Sequence, residues 1–245
     1  MSAPTPGATW QSAEMASSYL RRRETLVPFI DLQEEMVGML LDRHPHAIAR
    51  FLDIGCGAGA MSSLVFAHRP DAEGVGVDFS EPMLEQAERT FAAARWQAVR
   101  GDLSDPSWVD GLPADAGYGA AVSGLAIHHL PPMRKQGLFA ELFAQLAPGG
   151  IFLNLDYVSV EGTLDGSFHE RMVSNAICAE HEHGGERTPM QIRAELGEDG
   201  VGDEDLPDTA ENQLRWLTDA GFEHAEIHFK WGEAAVFGGC KPSHH

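Results

Sequence analysis

Short apolar runs alternate with amphipathic segments between about residues 50 and 158. The runs predict β-strands and the segments predict α-helices, because apolar positions recur three to four residues apart on a buried helix face. The predicted strands are 50–55, 73–80, 96–102, 118–127 and 151–158. The predicted helices between them are 60–69, 81–95 and 133–147. Alternation of this kind is typical of a parallel sheet with helices on both faces.

The pattern changes after the fifth predicted strand. Residues 159–212 form a polar, acidic and histidine-rich insertion, with helical spacing around 165–182 and 188–196. Residues 210–222 predict a last helix, and 223–241 predict two strands joined by a tight turn. We therefore expect an α/β fold with a Rossmann-like sheet of seven mostly parallel strands that ends in an antiparallel hairpin.

The N-terminal region is also helical in pattern, from Ser12 to about Arg43. Pro28 interrupts this pattern, and proline cannot continue a helix without a kink, so two helices are expected. The predicted organisation is a helical segment at 1–45 and a main domain at 46–245 that carries the insertion at about 159–212.

The composition fits a single α/β domain with a sizeable core. The chain has 245 residues, of which 43% are hydrophobic, and its net charge is −20. Such an acidic chain repels phosphate groups, so a nucleic-acid partner is not expected. The three cysteines, Cys56, Cys178 and Cys240, show no disulfide framework. Together with the lack of a signal peptide or a long apolar run, they predict a cytoplasmic protein away from membranes.

The loop after the first strand, in FLDIGCGAGA at 51–60, is built for close contact with a ligand. Its glycines let the backbone approach a cofactor at the start of the next helix. The same glycines also fit a dinucleotide fingerprint that ends at Ala60. Asp53 favours a different ligand, because a carboxylate there is unfavourable beside a pyrophosphate and favourable beside an ammonium or a sulfonium.

Two further carboxylates end the next two predicted strands. Asp78 lies at the end of the second strand, where a carboxylate can accept both hydroxyls of a ribose. Asp102 comes after the third, where a carboxylate can accept a hydrogen bond from the amine of adenine. Three carboxylates at successive strand ends suit an adenosine cofactor that carries positive charge.

At these residues the chain resembles the class I S-adenosylmethionine (SAM)-dependent methyltransferases. The similar motifs occur in order: LDIGCGAG (52–59), GVGVDFSEPML (74–84), GDL (101–103), SGLAIHHL (123–130), LAPGGIFLNLD (146–156) and WLTDAGFEHAEIHF (216–229). The resemblance implies SAM as the cofactor, with S-adenosylhomocysteine (SAH) as the product. It also implies that the N-terminal segment is a lid and that the insertion shapes the acceptor pocket.

The resemblance assigns cofactor contacts to matching positions. They are Asp53, Gly55, Cys56 and Gly57 in the first loop, Asp78, Phe79 and Met83 after the second strand, Asp102 and Leu103 after the third, and Ser123 in the fourth. In the lid, Tyr19 and Arg23 share one helix face and are expected to reach the cofactor or the substrate. An ordinary solvated basic face is an equally good interpretation of that pair.

The methyl acceptor is expected beside the loop after the fourth strand. Methyl transfer requires the nucleophile and the methyl group to be positioned in line, and a base helps only if the nucleophile carries a proton. His128 is the candidate for that base or for an acceptor contact, and a loop histidine bonded to the backbone is the alternative. The other expected acceptor contacts are His129, Phe168, Arg187 and Trp231. The histidines of HEHGGER (181–187) lack an evident third ligand, so no metal is expected.

Several functions remain open on the sequence. The first is methylation of an O, N or C atom of a small molecule, since the Asn-Pro-Pro-Tyr motif of many nucleic-acid and protein methyltransferases is absent. The second rests on AGFEHAEIHFKW (220–231), which looks like the end of the carboxy-SAM synthases of tRNA wobble-uridine modification. In those enzymes an arginine of the insertion holds a carboxylate, and Arg187 or Arg193 is the counterpart here.

The chain departs from the carboxy-SAM synthases in two places, the first motif and the His128–His129 loop. A SAM-binding protein without turnover is a third function that the sequence leaves open, and a dinucleotide oxidoreductase is a fourth. A homodimer is expected only because dimers are the commonest oligomers.

Overall fold

The computed structural model describes residues 27–113, 117–160, 166–196 and 205–243. In the first two ranges, strands and helices alternate as α1 (Ile30–Arg43), β1 (Arg50–Ile54), α2 (Ala60–His68), β2 (Glu73–Asp78), α3 (Glu81–Thr90), β3 (Trp96–Arg100), β4 (Tyr118–Gly124), α4 (Pro132–Gln145) and β5 (Leu146–Tyr157). The rest of the described chain forms α5 (Ser167–Glu182), α6 (Pro189–Leu196), α7 (Ala210–Asp219), β6 (Glu223–Trp231) and β7 (Ala234–Cys240). Short 3₁₀ turns cover Pro106–Gly111 and Ile127–His129.

The strands form one sheet in the order β3-β2-β1-β4-β5-β7-β6. The first five pair in parallel, whereas β7 pairs antiparallel with both β5 and β6. The predicted seven-stranded, mostly parallel sheet with an antiparallel end is therefore confirmed. Because parallel strands end at the same edge, the loops after β1, β2, β3 and β4 come together there.

Two apolar layers cover the sheet. On one face, Val37 and Leu41 of α1 pack with Val65 of α2 and with Phe51 of β1. On the other, the core includes Leu52 and Ile54 of β1 together with residues of α4 and α7. Successive residues of β1 thus enter opposite layers, as the two-residue period of a strand requires.

Some boundaries differ from those predicted. The fourth strand ends at Gly124 and not at residue 127, because Leu125 adopts a left-handed φ of 55° and a 3₁₀ turn follows. The fifth strand begins at Leu146, before Pro148, with a register shift against β4 that accommodates the extra residues. Helix α1 begins two residues after Pro28, and the helix predicted before that proline lies mostly outside the described residues.

Within the described ranges, no helix combines the length and the apolar character that crossing a membrane requires.

Candidate functional site

The glycine loop after β1 has left-handed backbone at three glycines, with φ of 61° at Gly55, 52° at Gly57 and 90° at Gly59. A Cβ added at Gly55 would lie 2.3 Å from the Cβ of Ala126, so the loop packs directly against the turn after β4. A Cβ added at Gly57 would meet nothing within 4 Å. The loop therefore leaves space for a ligand beside Gly57 and joins the β4 turn at Gly55.

Asp53 lies beneath this loop and is fully buried. Its Oδ2 accepts hydrogen bonds from the backbone N–H of Ser62 at 2.8 Å and from the Ser62 hydroxyl at 2.7 Å. Trp96 Nε1 in turn donates to the Ser62 hydroxyl at 3.0 Å. The carboxylate thus fixes the first turn of α2 to the end of β1 and places negative charge under the loop.

Asp78 links the glycine loop to the end of β2. Its Oδ2 accepts from the N–H of Gly57 and its Oδ1 from the N–H of Ser80, both at 2.8 Å. Burial raises the pKa of Asp78, the N–H donors oppose that shift, and the charge of Asp102 adds to it. The carboxylate is therefore held in a fixed position between the glycine loop and the end of β2.

The other residues predicted around the adenine side lie at the same edge. Leu103 is buried and reaches within 3.6 Å of a Cβ added at Gly55, and Met83 is buried at the start of α3. Phe79 is half-buried, and Asp102 is exposed, with its Oδ1 accepting from Ser104 N–H at 2.8 Å. An apolar floor with an exposed carboxylate is suited to an adenine ring.

Two predicted contact residues turn their side chains inward. The thiol of Cys56 is buried, and its sulfur lies 2.9 Å from where a Cβ of Gly76 would be. Burial, with the nearby charges of Asp53 and Asp78, raises its pKa well above the ordinary value. The hydroxyl of Ser123 is fully buried and donates to the carbonyl of Ile54 at 2.9 Å. The Cys56 sulfur thus lies against β2 and the Ser123 hydroxyl bonds to β1, and the cofactor contacts predicted for both residues stay predictions.

His128 lies in the 3₁₀ turn after β4 and is held by Asp156 at the end of β5. Its Nδ1 is 2.6 Å from Asp156 Oδ1, and its backbone N–H donates to Asp156 Oδ2 at 3.1 Å. Asn154 Nδ2 and the N–H of Tyr157 also donate to that carboxylate, at 3.2 and 2.9 Å. Asp156 is therefore held by two donors of β5 and bonds both the backbone and the ring of His128. These bonds fix the direction of the imidazole ring.

A second carboxylate, Asp205, approaches the same ring from the end of the insertion. Its Oδ1 lies 3.5 Å from His128 Nε2 and 2.9 Å from His129 Nδ1. Burial alone lowers the pKa of His128, but Asp156 and Asp205 outweigh it and raise that pKa to about 9. Burial also raises the pKa of Asp205, and the two histidines outweigh it and hold that pKa below its ordinary value.

A series of contacts, one between rings and two hydrogen bonds, connects this cluster to the β6–β7 turn. The Tyr157 ring meets His128 edge-on, with centroids 5.9 Å apart. Its hydroxyl donates to Oε1 of the buried Glu233 at 3.0 Å, and the N–H of Gly166 donates to the same oxygen at 3.1 Å. Through Glu233, the insertion and the last hairpin are therefore both bonded to the end of β5, next to His128.

The predicted acceptor residues are spread over these two elements. Trp231 packs edge-to-face on Phe29, with ring centroids 4.9 Å apart. Arg187 is exposed and forms an ion pair with Glu180 within the insertion. The Phe168 side chain, Tyr19 and Arg23 lie outside the described part of the structure. The structure thus brings His129 to His128 and places Trp231 at the hairpin turn.

Asp156 and Asp205 were missed on the sequence. Asp156 ends the motif LAPGGIFLNLD, so the rule that identified carboxylates at the first three strand ends would have found it at β5. Asp205 follows a polar stretch and carries no local signal, because only the tertiary fold brings it to His128.

A family model described as a methyltransferase domain matches residues 51–150, which hold the glycine loop, Asp78, Asp102 and His128. The sheet order and the strand-end carboxylates agree with that match. Residues 51–150 therefore carry a methyltransferase domain, and their motifs are similar to those of the class I SAM-dependent enzymes. SAM is accordingly the cofactor of this methyltransferase, as the sequence predicted, and the space beside Gly57 with the carboxylate of Asp78 fits it.

Two similar proteins align with different shares of this chain. Carboxy-S-adenosyl-L-methionine synthase of Campylobacter hominis is 25% identical over 212 residues, which are 86% of this chain and 85% of the relative. Trans-aconitate 2-methyltransferase of Pseudomonas aeruginosa is 37% identical over 123 residues, which are 50% of this chain and 41% of the relative. The stronger identity thus lies in the shorter alignment.

Among solved structures, human N-acetylserotonin methyltransferase in complex with SAM is similar in fold. The TM-score is 0.63 at 14% identity, over 96% of this methyltransferase and 58% of that chain. The chain therefore spans less than two thirds of that protein, and the likeness shows the shared fold.

Proposed function

We propose that this methyltransferase methylates a small-molecule acceptor by in-line transfer. The observation that carries the proposal is the contact of Gly55 with Ala126, because it joins the glycine loop, which is open at Gly57, to the turn that bears His128. SAM supplies the electrophilic methyl group on its sulfonium. The residues of the chain then have to hold the acceptor in line with that methyl group and keep water out.

The enclosure of the acceptor side supports a small acceptor. Glu233 ties the β6–β7 turn to Gly166 and Ser167 at the start of α5, so the insertion and the hairpin converge on one side. The net charge of −20 is unfavourable for nucleic-acid acceptors. Two of the similar proteins, trans-aconitate 2-methyltransferase and N-acetylserotonin methyltransferase, are named for small acceptors.

Within this proposal, Asp78 binds the ribose, Asp102 the adenine edge, and the N–H groups of the glycine loop the methionine part. Asp53 contributes negative charge from beneath the loop, since Ser62 already bonds its carboxylate. His128 is proposed to contact the acceptor at the end of β4.

Cofactor recognition is tested first, by thermal denaturation of the full chain with SAH or with NADH. A ligand at 100 times its Kd stabilises the folded state by about 2.7 kcal/mol, so SAH is expected to raise the Tm and NADH to leave it unchanged. Stabilisation by NADH alone would refute the cofactor assignment.

Acceptor chemistry is tested with SAM labelled on its methyl group and a panel of small acids, phenols and amines. Transfer to one class, lost in His128→Ala with SAH affinity retained, is the expected result. Transfer that survives in His128→Ala removes the acceptor role of this histidine. Binding of SAH without transfer to any acceptor would support a non-catalytic SAM-binding protein.

The carboxy-SAM synthase alternative is favoured by one observation, the similarity to such an enzyme over 86% of this chain. The placement of the two candidate arginines supports methyl transfer, because both are exposed and bonded within the insertion, Arg187 to Glu180 and Arg193 to Glu170. Mass spectrometry of the nucleotide extracted from the purified chain distinguishes the two. A carboxylate on the transferred methyl group would establish the synthase.

A reducing compartment is part of this proposal. Cys56, Cys178 and Cys240 are all free thiols in the structure, which is the usual state in the cytoplasm.

A further inference from the structure

Three side chains, two from the turn after β4 and one from the end of the insertion, each offer a metal-ligating atom to the same cluster. His128 Nε2, His129 Nδ1 and one oxygen of Asp205 all lie within 4.8 Å of one another. The Asp205 oxygen is 2.9 Å from His129 Nδ1 and 3.5 Å from His128 Nε2. Ligand atoms that share one ion at metal distances of about 2.0–2.2 Å are separated by distances of this size.

The orientation of His128 is the second observation. Asp156 Oδ1 lies 2.6 Å from Nδ1, which leaves Nε2 as the ring atom that faces the cluster. A carboxylate on the far nitrogen is the usual support of a metal-binding histidine, because it fixes both the tautomer and the direction of the ring. Asp156 is itself fixed by donors from Asn154 and Tyr157.

Asp205 is also held in position by its neighbours. The buried Lys135 donates from Nζ to Asp208 Oδ2 at 2.7 Å and to the carbonyl of Leu206. The N–H of Leu206 donates to the carbonyl of His128 at 2.9 Å. The segment after Asp205 is therefore attached both to α4 and to the histidine turn, so the carboxylate reaches the cluster without further rearrangement.

We propose that His128, His129 and Asp205 bind one divalent transition-metal ion of the zinc class. Two imidazoles and one carboxylate favour zinc, cobalt or nickel over magnesium and calcium, which take oxygen ligands. Three protein ligands leave a further position for water or for a substrate atom, as in catalytic zinc sites. If the proposed function holds, that position faces the acceptor, where an ion would make a hydroxyl more acidic.

The histidine pair of the insertion provides a contrast. His181 and His183 lie at the end of α5, and both are exposed. His183 Nδ1 contacts the backbone carbonyl of Ala179 at 2.8 Å. In the described part of the chain, only the cluster at His128 gathers three such ligands.

The test uses the full chain with His244 and His245 removed, since neighbouring histidines at a chain end can bind metal by themselves. After treatment with EDTA and dialysis, ZnCl₂ is titrated by calorimetry, and CoCl₂ by the visible absorption of the bound ion. One equivalent of each ion is expected to bind, and MgCl₂ is expected to bind negligibly. A cobalt spectrum of low-coordinate type would report the mixed nitrogen and oxygen ligands.

Variants assign the site. Asp205→Asn and His129→Gln are each expected to weaken zinc binding at least tenfold, whereas His183→Ala is the matched control and should bind as the parent does. Circular dichroism checks the fold of each, and the partly exposed His129 provides a variant that is independent of the Asp205 segment. Absence of a stoichiometric site, or unchanged affinity in both ligand variants, overturns the proposal.

SAH binding is measured on the same samples, so the two proposals fail separately. Retained SAH binding without zinc binding refutes only the metal site, and zinc binding without SAH binding refutes only the proposed function.

Discussion

Gly57 combines two properties that are separable by substitution. Its φ of 52° is in the left-handed region, and the space where its side chain would be is open. Gly184, in the turn after α5, has a φ of 67° and equally open space, but it lies in the exposed part of the insertion. A side chain would therefore strain the backbone equally at both glycines. They differ in place, because Gly57 belongs to the glycine loop after β1 and Gly184 does not.

We predict that Gly57→Ala and Gly184→Ala each lose roughly 1 kcal/mol of unfolding free energy, since a left-handed backbone costs an alanine about that much. Only Gly57→Ala should also weaken SAH binding, by tenfold or more, because its methyl group would occupy the ligand space. Urea denaturation and calorimetry measure the two quantities. Equal SAH affinity in both variants would place the cofactor elsewhere.

At the residue scale, the sequence allowed candidate residues to be named where a polar side chain lies at the end of a strand. Asp53, Asp78 and Asp102 were identified as candidates because a carboxylate at a strand end has a recognisable sequence position, and their cofactor contacts stay predictions. The hydrogen bonds themselves were not predictable. The Ser62 hydroxyl donates to an oxygen of Asp53, and only the folded chain brings the two together. Asp205 was out of reach for the same reason.

At the scale of the elements, a buried lysine of helix α4 binds the segment after the insertion. Lys135 is fully buried, and its ammonium donates to Asp208 at 2.7 Å. Removing one partner of a buried ion pair leaves the other charge uncompensated, which costs about 3–5 kcal/mol. On the surface, Lys230 and Glu211 form a pair at 3.7 Å with solvent access to both groups.

Lys135→Met is therefore expected to lower the unfolding free energy by about 3 kcal/mol or more. Lys230→Met, the matched control, should cost less than about 1 kcal/mol, because exposed pairs are weak. Urea denaturation of both variants compares them. The double change Lys135→Met and Asp208→Leu should recover part of the loss, and similar losses in the two single variants would contradict the buried-charge argument.

At the element scale, the existence and type of the strands and helices followed from periodicity, and the errors fall at their ends. The fourth strand stops early at Leu125, whose left-handed φ no apolar pattern reveals. The fifth starts early because β5 pairs with β4 through Leu146 despite Pro148 and two glycines. A backbone angle decided the first boundary and pairing across the sheet decided the second, and neither is visible in a local apolar pattern.

Across the whole molecule, the dominant electrostatic quantity is the net charge of −20. Self-repulsion of this size opposes the compact state, and added salt reduces it. The Debye length shortens from about 30 Å at 0.01 M salt to about 8 Å at 0.15 M.

Raising NaCl over this range is expected to raise the Tm of the ligand-free chain by several degrees, measured by scanning calorimetry. NaF at the same ionic strength is the control that separates screening from specific binding of chloride. A Tm that falls with both salts would mean that attractive ion pairs outweigh the repulsion.

The sheet order also has a consequence for synthesis. Strand β7 lies between β5 and β6, and β6 has no other strand beside it in the described sheet. A ribosome that has just made Tyr157 must still translate as far as Ala234 before β5 can gain this neighbour, on the order of ten seconds at roughly 5–20 residues per second. During that time the nascent chain presents the open side of an apolar strand, Ile151–Tyr157. An unpaired strand edge promotes aggregation, so nascent chains close together on a polysome are where we expect chaperones to be most needed for this fold.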